Sequence, residues 1–463
     1  MTRRLKEFVL QQVSDRKLGK SEAFDLLQDL LALERAPLSD APVAAAAPVR
    51  DVAVVGMACR FAGADTPEQY WKNLAGGVDG VRPFPQQRLW DVIRVREELY
   101  TRWRDTVEKA GQQGFAGGFL ESIDGFDAGF FDVPPADARI LGPADRLFLQ
   151  VAWEALESAG LTRKELTGSR TGIYLAHAPD APFEYGQLLS QDDARVTVLN
   201  NPAITGYRLS HWLDLKGPTL VVNTSCSSSL VACHLACQAL AQGDCDVAMV
   251  GGLQVTLFPY WKVPDYGVSS ADGRCKAFDA AADGIAFGEG AGMLILKPLE
   301  KARADGDFIH GVIRGSAVNS DARSNGLTAP NPAAQTEVIL QAWERAGIDP
   351  TTLSFIEAHG AGTQLGDPIE VKGLTDAFRR FTDRRSFCAL GSAKTNLSHL
   401  GDAAGVAGLI KVMLSFLHRS LPPSLHFKRP NPYIDFANAP VYVNDRLSAW
   451  EPASGVRRAG VSS

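Results

Sequence analysis

The chain opens with two stretches of helical apolar spacing. Leu5, Phe8, Val9 and Val13 form the first and Phe24, Leu27, Leu30 and Leu31 the second, on either side of a polar break from Ser14 to Ser21 that contains Gly19. The pattern predicts two short amphipathic helices joined by a turn within residues 1–35. Residues 36–49 carry Pro37, Pro42 and Pro48 among alanines and read as a semi-rigid linker. Short helices are marginal alone, so the pair is expected either to dock onto another polypeptide or to pack on its own domain.

From residue 50 to residue 463 the pattern is that of a main body. Asp51 to Gly56 is a short apolar run ending in glycine, as expected of a buried strand. Thr66-Pro67-Glu68-Gln69 supplies an N-cap, a proline at the first helical position and a glutamine three residues after the cap. Thr219 to Asn223 reads as a strand leading into a helix over Ser228–Gln242, and Asp246 to Val250 as another strand. A helix over Ala333–Ala346 precedes a strand over Ser354–Glu357. This alternation argues for an α/β protein with largely buried sheets. Trp153–Gly160 (WEALESAG) and Trp343–Gly347 (WERAG) each close a helix ahead of an apolar strand, which is compatible with a duplicated unit.

Composition then narrows the function classes. At 463 residues, 45% hydrophobic and 22% charged, the chain has ample material for a large core. A formal charge of −6 offers no bulk attraction for nucleic-acid phosphates or an anionic membrane surface. Apolar stretches break short of the roughly 20 residues that span a bilayer, so no transmembrane helix is expected. Met-Thr-Arg-Arg-Leu-Lys at the start lacks the apolar core of a secretion signal. Seven scattered cysteines fit reduced thiols in a cytoplasm better than a disulfide scaffold.

The chemistry concentrates in a few segments. In TLVVNTSCSSSL (Thr219–Leu230) an apolar strand runs into small residues and then a helix, with Cys226 at the bend. A helix N-terminus there would favour a thiolate and stabilise an oxyanion. The alternative is an inert buried cysteine, against which Ser225, Ser227, Ser228 and Ser229 argue. Two histidines lie in unusual settings. His359 opens HGAGTQLGDPIE, whose glycines let the backbone turn tightly, and His399 follows Lys394 by five residues, ahead of a small-residue helix. Cys233, His234 and Cys237 resemble metal-ligand spacing but lie on an apolar helix without a second pair, so no metal site is expected. Gly288–Gly292 (GEGAG) lacks the spacing of a dinucleotide fingerprint and is read as a tight turn.

Seven segments in order, from VAVVGMACRFAGADTPEQYW through GPADRLFLQVAWEALESAG, NTSCSSSL, DGRCKAFDAAADGIAFGEGAG, EAHGAGTQLGDPIE and KTNLSHLGDAAG to LPPSLHFKRPNPYIDF, resemble the β-ketoacyl synthases of the thiolase superfamily. The resemblance is closest to the ketosynthase domains of modular polyketide synthases. It implies a five-layered, duplicated αβαβα thiolase fold, preceded here by a short helical segment, and a homodimer. It also implies that Cys226 takes an acyl chain from an acyl carrier protein. His359 and His399 then assist decarboxylation of a malonyl-type extender and stabilise the attacking enolate. Lys394 and Glu370 match a supporting charged pair, and Thr363 a contact to the phosphopantetheine arm of the carrier, the only cofactor implied and one that arrives as part of the substrate. The N-terminal helices resemble segments that join one synthase polypeptide or domain to its neighbour.

Departures from the family pattern are Ala361 for a threonine, Ser225 before the nucleophile for an alanine, Ser398 for a glycine and Gly401 for an acidic or amide residue. They are expected to reshape the substrate pocket, with Ser225 lining it. Arg458 to Ser463 falls where the family runs on into a glycine-rich loop and closing strand, so the ketosynthase domain is expected to continue beyond Ser463. Elongation by decarboxylative Claisen condensation is the leading expectation. A non-elongating transacylase or branching domain, or a non-catalytic docking and dimerisation module, are the alternatives; thiolases of the coenzyme A type use a second cysteine where this sequence has histidine.

Overall fold

The computed structural model describes residues 51–95, 116–178, 185, 189, 193–257, 269–322, 324 and 330–463. The expected helical pair and linker lie outside the described residues.

Six strands make the larger sheet: β1 (Val52–Phe61), β2 (Thr171–Ala176), β3 (Thr219–Val222), β4 (Val247–Gln254), β5 (Gly290–Pro298) and β6 (Gly311–Ile313), in spatial order β3-β2-β4-β5-β1-β6. β2 runs parallel to β3 and β4, whereas β5 is antiparallel to both β4 and β1. The smaller sheet holds β7 (Phe355–Glu357), β8 (Cys388–Gly391), β9 (Val441–Val443) and β10 (Ala459–Val461), all parallel, in the order β9-β8-β7-β10.

Helices α1 (Pro67–Ala75), α2 (Pro143–Ser158), α3 (Pro202–Leu213), α4 (Ser228–Gln242), α5 (Pro332–Ala346), α6 (Gly366–Phe378) and α7 (Ala404–His418) complete the frame. Their order exposes a repeat. α2 leads into β2, which is flanked first by β3 and then by β4; α5 leads into β7, which is flanked first by β8 and then by β10. The WEALESAG and WERAG segments close α2 and α5, and Gly160 and Gly347 turn the chain at φ 67° and 58°. These are left-handed positions that glycine occupies without a Cβ clash.

The layers follow from alternation along the strands. In β1, Val52, Val54, Met57, Cys59 and Phe61 face one apolar cluster, and Ala53, Val55 and Ala58 face another, with a bulge at Val54/Gly56. The first cluster contains α4 and α7 together with Phe355 of β7 and Ala389 of β8, so these two helices lie between the sheets. α2 and α3 cover the outer face of the larger sheet, while α5 and α6 cover that of the smaller through Trp343, Leu374 and Phe378. The result is αβαβα, because central strands such as β1 are apolar on both faces and each face needs a helical layer.

α7 is buried along nearly its whole length. Gly401–His418 is long and apolar enough to cross a bilayer, yet 78% of it is enclosed by protein, as befits a central core helix. The GEGAG run is not a tight turn: from Gly290 onward it is β5, an interior strand of the larger sheet. Its glycines serve close packing, since a Cβ on Gly292 would lie 3.0 Å from Val406 and Ile410 of α7. Glu289 is an anchor, fully buried and accepting from Arg88 (2.6 Å) and from the N–H groups of Thr256 (2.7 Å) and Leu120 (2.9 Å).

Candidate active site

Cys226 sits in a single 3-10 turn, Ser225–Ser227, between the end of β3 and the first residue of α4. The turn is tight enough to hold Ser225 at φ 56°, a conformation that costs a non-glycine residue energy and persists only where neighbours enforce it. Asn223 Oδ1 accepts from the Ser225 N–H (3.2 Å), and Ser228 Oγ accepts from the Thr224 N–H (2.8 Å). Ser225 itself is exposed and Cys226 half-buried. Burial pushes the Cys226 thiol up. Lys394 pulls the other way and Asp402 adds to the rise. Desolvation of the sulfur is the largest of these influences.

His359 follows β7 directly, and His399 follows β8 by way of a short helix, Lys394–Leu397. The two strands are parallel neighbours, so residues 40 positions apart meet with ring centroids 5.6 Å apart, edge to face. The Gly401 N–H donates to His399 Nδ1 at 2.9 Å, which places the ring proton on Nε2. His399 Nε2 is buried without a protein partner, and so is His359 Nδ1. Burial lowers His399 to about 3, with Lys394 acting in the same direction. His359 is held well below the usual imidazole range by burial, then by Lys394 and His399. Burial thus disfavours the charged form of both rings, and His399 presents an N–H without a protein acceptor. A buried donor without an acceptor is costly, so this arrangement suits a ligand oxygen.

Lys394 and Glu370 both grip His359. The Lys394 ammonium donates to the His359 carbonyl (2.6 Å), and the Glu370 carboxylate accepts from the N–H groups of His359 (2.7 Å) and Gly360 (2.8 Å). The expected charged pair thus meets through the peptide backbone of the histidine it supports. Lys394 is buried, and desolvation lowers its pKa against the attraction of Glu357 and Glu370. Glu357 in turn lies 2.6 Å from the fully buried Lys411 of α7 and accepts from the Ala393 N–H at 2.6 Å. Sequence reasoning did not single out Glu357 and Lys411. Glu357 ends β7 and Lys411 lies mid-helix, so only the packing of α7 under the smaller sheet joins them.

Thr363 is half-buried, and its Oγ1 accepts from the Gly366 N–H (3.0 Å) at the start of α6, which leaves the hydroxyl hydrogen available to a ligand. Ala361 is buried. Asp367, also overlooked, ties the loop down by accepting from Phe278 (2.6 Å) and Gly362 (3.1 Å), and burial raises it to about 7. Ser398 adopts φ 63°, ψ −174°, a region occupied almost only by glycine, and its Oγ donates to the Gly273 carbonyl at 3.1 Å. Among the described residues no group of three His, Cys, Asp or Glu is placed to hold a metal ion. His234 spends its two ring nitrogens on Ser316 Oγ (2.8 Å) and Gln238 Nε2 (2.9 Å).

A duplicated five-layered α/β fold, with a cysteine at the head of one central helix and two neutral histidines beside the head of its counterpart, defines a thiolase-like acyl-handling protein. The chain belongs to the β-ketoacyl synthase family: residues 49–302 match its N-terminal domain and residues 310–428 its C-terminal domain. It is 41% identical over 425 residues to the polyketide synthase PksL of Bacillus subtilis, a match covering 91% of this chain and 9% of that protein. It is 42% identical over 442 residues to the polyketide synthase ThaG of Burkholderia thailandensis, covering 93% of this chain and 8% of that one. Among solved structures, the ketosynthase from module 6 of the Bacillus subtilis bacillaene synthase superposes with a TM-score of 0.80 at 40% identity, covering 89% of this chain and 69% of that one. The oxazolomycin ketosynthase domain OzmH KS7 of a Streptomyces albus strain does so at 0.79 and 36%, covering 89% and 72%. The chain therefore spans well under a third of the length of the polyketide synthases it matches.

Proposed function

We propose that this chain is the condensing domain of a polyketide assembly line. Cys226 attacks the thioester of an acyl group delivered on a phosphopantetheine arm; the acyl–sulfur bond to the carrier breaks, the carrier thiol leaves with the cysteine proton, and the acyl chain rests on Cys226. A malonyl-type thioester then loses carbon dioxide. The electron pair released becomes an enolate whose oxygen is held by the N–H of His399 Nε2 and by His359, and its carbon attacks the Cys226 acyl carbonyl, expelling the thiolate. The observation that carries this proposal is the pair of imidazoles, 5.6 Å apart between centroids, each with a buried nitrogen that has no protein partner. Neutral N–H donors stabilise an enolate oxygen without giving up their proton to it. Lys394 and Glu370 keep His359 in place, and Thr363 and Ser225 face the carrier arm and the acyl chain.

The partners follow from the same chemistry: an acyl carrier protein, and a neighbouring synthase segment engaged by residues 1–35, in a reducing cytoplasm where the seven free thiols persist. A homodimer is proposed too. β3 is the edge of the larger sheet and exposes Leu220 (44%), and α3, which packs against it, exposes Tyr207 (54%), apolar surface suited to pairing with a second copy. The test is to load the chain from an acyl carrier thioester, add malonyl carrier and follow both by mass spectrometry. Acylation at Cys226 followed by a product two carbons longer is expected. Loading without extension would refute elongation and leave a transacylase; no loading would refute both.

A further inference from the structure

We propose that Asp402 is a positioning residue that clamps the turn bearing Cys226 to the turn bearing His399 and that its charge tempers the reactivity of the thiol. The proposal rests on Cys226 being the acyl acceptor. Asp402 lies in the 3-10 turn Gly401–Ala403 that heads α7, three residues after His399. Its Oδ1 is 3.1 Å from Ser228 Oγ, two residues after Cys226, and shares that hydroxyl's one proton with the Ser225 carbonyl at 2.6 Å. Its Oδ2 accepts from the Ala178 N–H just beyond β2. One buried carboxylate therefore gathers the end of β2, the head of α4 and the head of α7.

The same junction is closed from below. Ser229 Oγ accepts from the Val406 N–H (3.0 Å), and Gly405 lets the two helix heads touch, since a Cβ there would lie 2.6 Å from Leu230 Cγ. The two turns come from the two halves of the duplicated fold, so contacts such as Ser229 with Val406 and Asp402 with Ser228 set one against the other. Asp402 crosses that boundary. The charged groups that act on the Cys226 thiol are Lys394, which favours the thiolate, and Asp402, which opposes it. Asparagine at 402 keeps an acceptor for Ala178 and a polar partner for Ser228 but leaves Lys394 unopposed.

The test uses the full chain and two variants with opposite losses: Asp402→Asn removes the charge, and Ser228→Ala keeps the charge and removes the hydroxyl that meets Asp402, together with its bonds to Thr224 and Ser225 in the Cys226 turn. Alkylation of Cys226 by iodoacetamide is followed against pH by peptide mass spectrometry, alongside condensation kinetics with acyl and malonyl carriers. For Asp402→Asn the alkylation midpoint moves to lower pH by about half a unit or more, roughly a threefold faster reaction on the acid side. For Ser228→Ala the midpoint does not move down, while condensation falls about tenfold because the two turns are no longer held together. An Asp402→Asn profile that coincides with the parent overturns the charge role, and an unchanged kcat in Ser228→Ala overturns the clamp. A purely structural Asp402 would lower the melting temperature without moving the profile. Failure of Cys226 to load acyl groups at all would sink the condensing function but leave the alkylation comparison readable.

Discussion

Ser398, immediately before His399, offers a measurement of stored backbone strain. It holds φ 63°, ψ −174°, and any residue with a Cβ pays about 1–3 kcal/mol to stay there. Its hydroxyl recovers about 1 kcal/mol through the bond to the Gly273 carbonyl. Ser398→Ala and Ser398→Gly lose that bond equally, so comparing them isolates the backbone. Glycine escapes the strain and gives back about 0.5–1 kcal/mol in unfolded-chain entropy. The net is about 0.5–2 kcal/mol in favour of glycine, the reverse of the usual alanine preference. With about 2 cal/mol/K of unfolding entropy per residue, that is a difference in Tm of roughly 0.5–2 °C for a chain this long. Scanning calorimetry of the two variants side by side measures it. Alanine melting at or above glycine would refute the assignment of strain to this peptide. Condensation by Ser398→Gly should match the parent, since glycine keeps the His399 backbone where it is.

The buried Glu357–Lys411 pair makes Lys411→Met costly, by about 3–5 kcal/mol, because it strands Glu357 without its closest cation, whereas Glu357→Gln/Lys411→Met recovers most of the loss. Urea midpoints decide this, and a double variant no better than the single one would contradict it. His399, lowered to about 3 from 6.5, contributes stability that is complete above pH 6.5 and is lost as pH falls towards 3, since the unfolded chain takes up a proton the folded one refuses. His399→Asn, which keeps an acceptor for the Gly401 N–H, should therefore show a shallower loss of Tm over that window, and a parallel pH dependence would refute the sign. Leu220→Lys on the open edge of β3 should shift the chain towards monomer in light scattering, and an unchanged mass would remove this edge from the dimer interface.

The local alternation of elements was legible in the chain. Ser228–Gln242 is a helix from its first residue to its last, and the Thr66 cap with Pro67 starts α1, with Thr66 Oγ1 accepting from the Gln69 N–H. The two WE segments marked equivalent helices of a repeat because each half solves the same problem, a helix that must cover one face of a parallel strand. Cys226, His359 and His399 stood out because small residues and glycines surround them. GEGAG misled because glycines that admit α7 against a strand look, in sequence, like glycines that admit a turn.

Short-range physics is therefore written directly in the order of residues: periodicity, caps, and which residue types sit at each bend. How those groups behave is set by the assembled fold. The Cys226 thiol is raised because remote segments desolvate it, and the His399 proton is placed on Nε2 by the Gly401 N–H. Lys394 and Glu370 share a histidine backbone, and Asp402, unremarkable beside Gly401 in the sequence, joins three elements from both halves of the fold. Desolvation and hydrogen-bond completion depend on what chain contacts hundreds of residues away bring into place, and no local pattern carries that information.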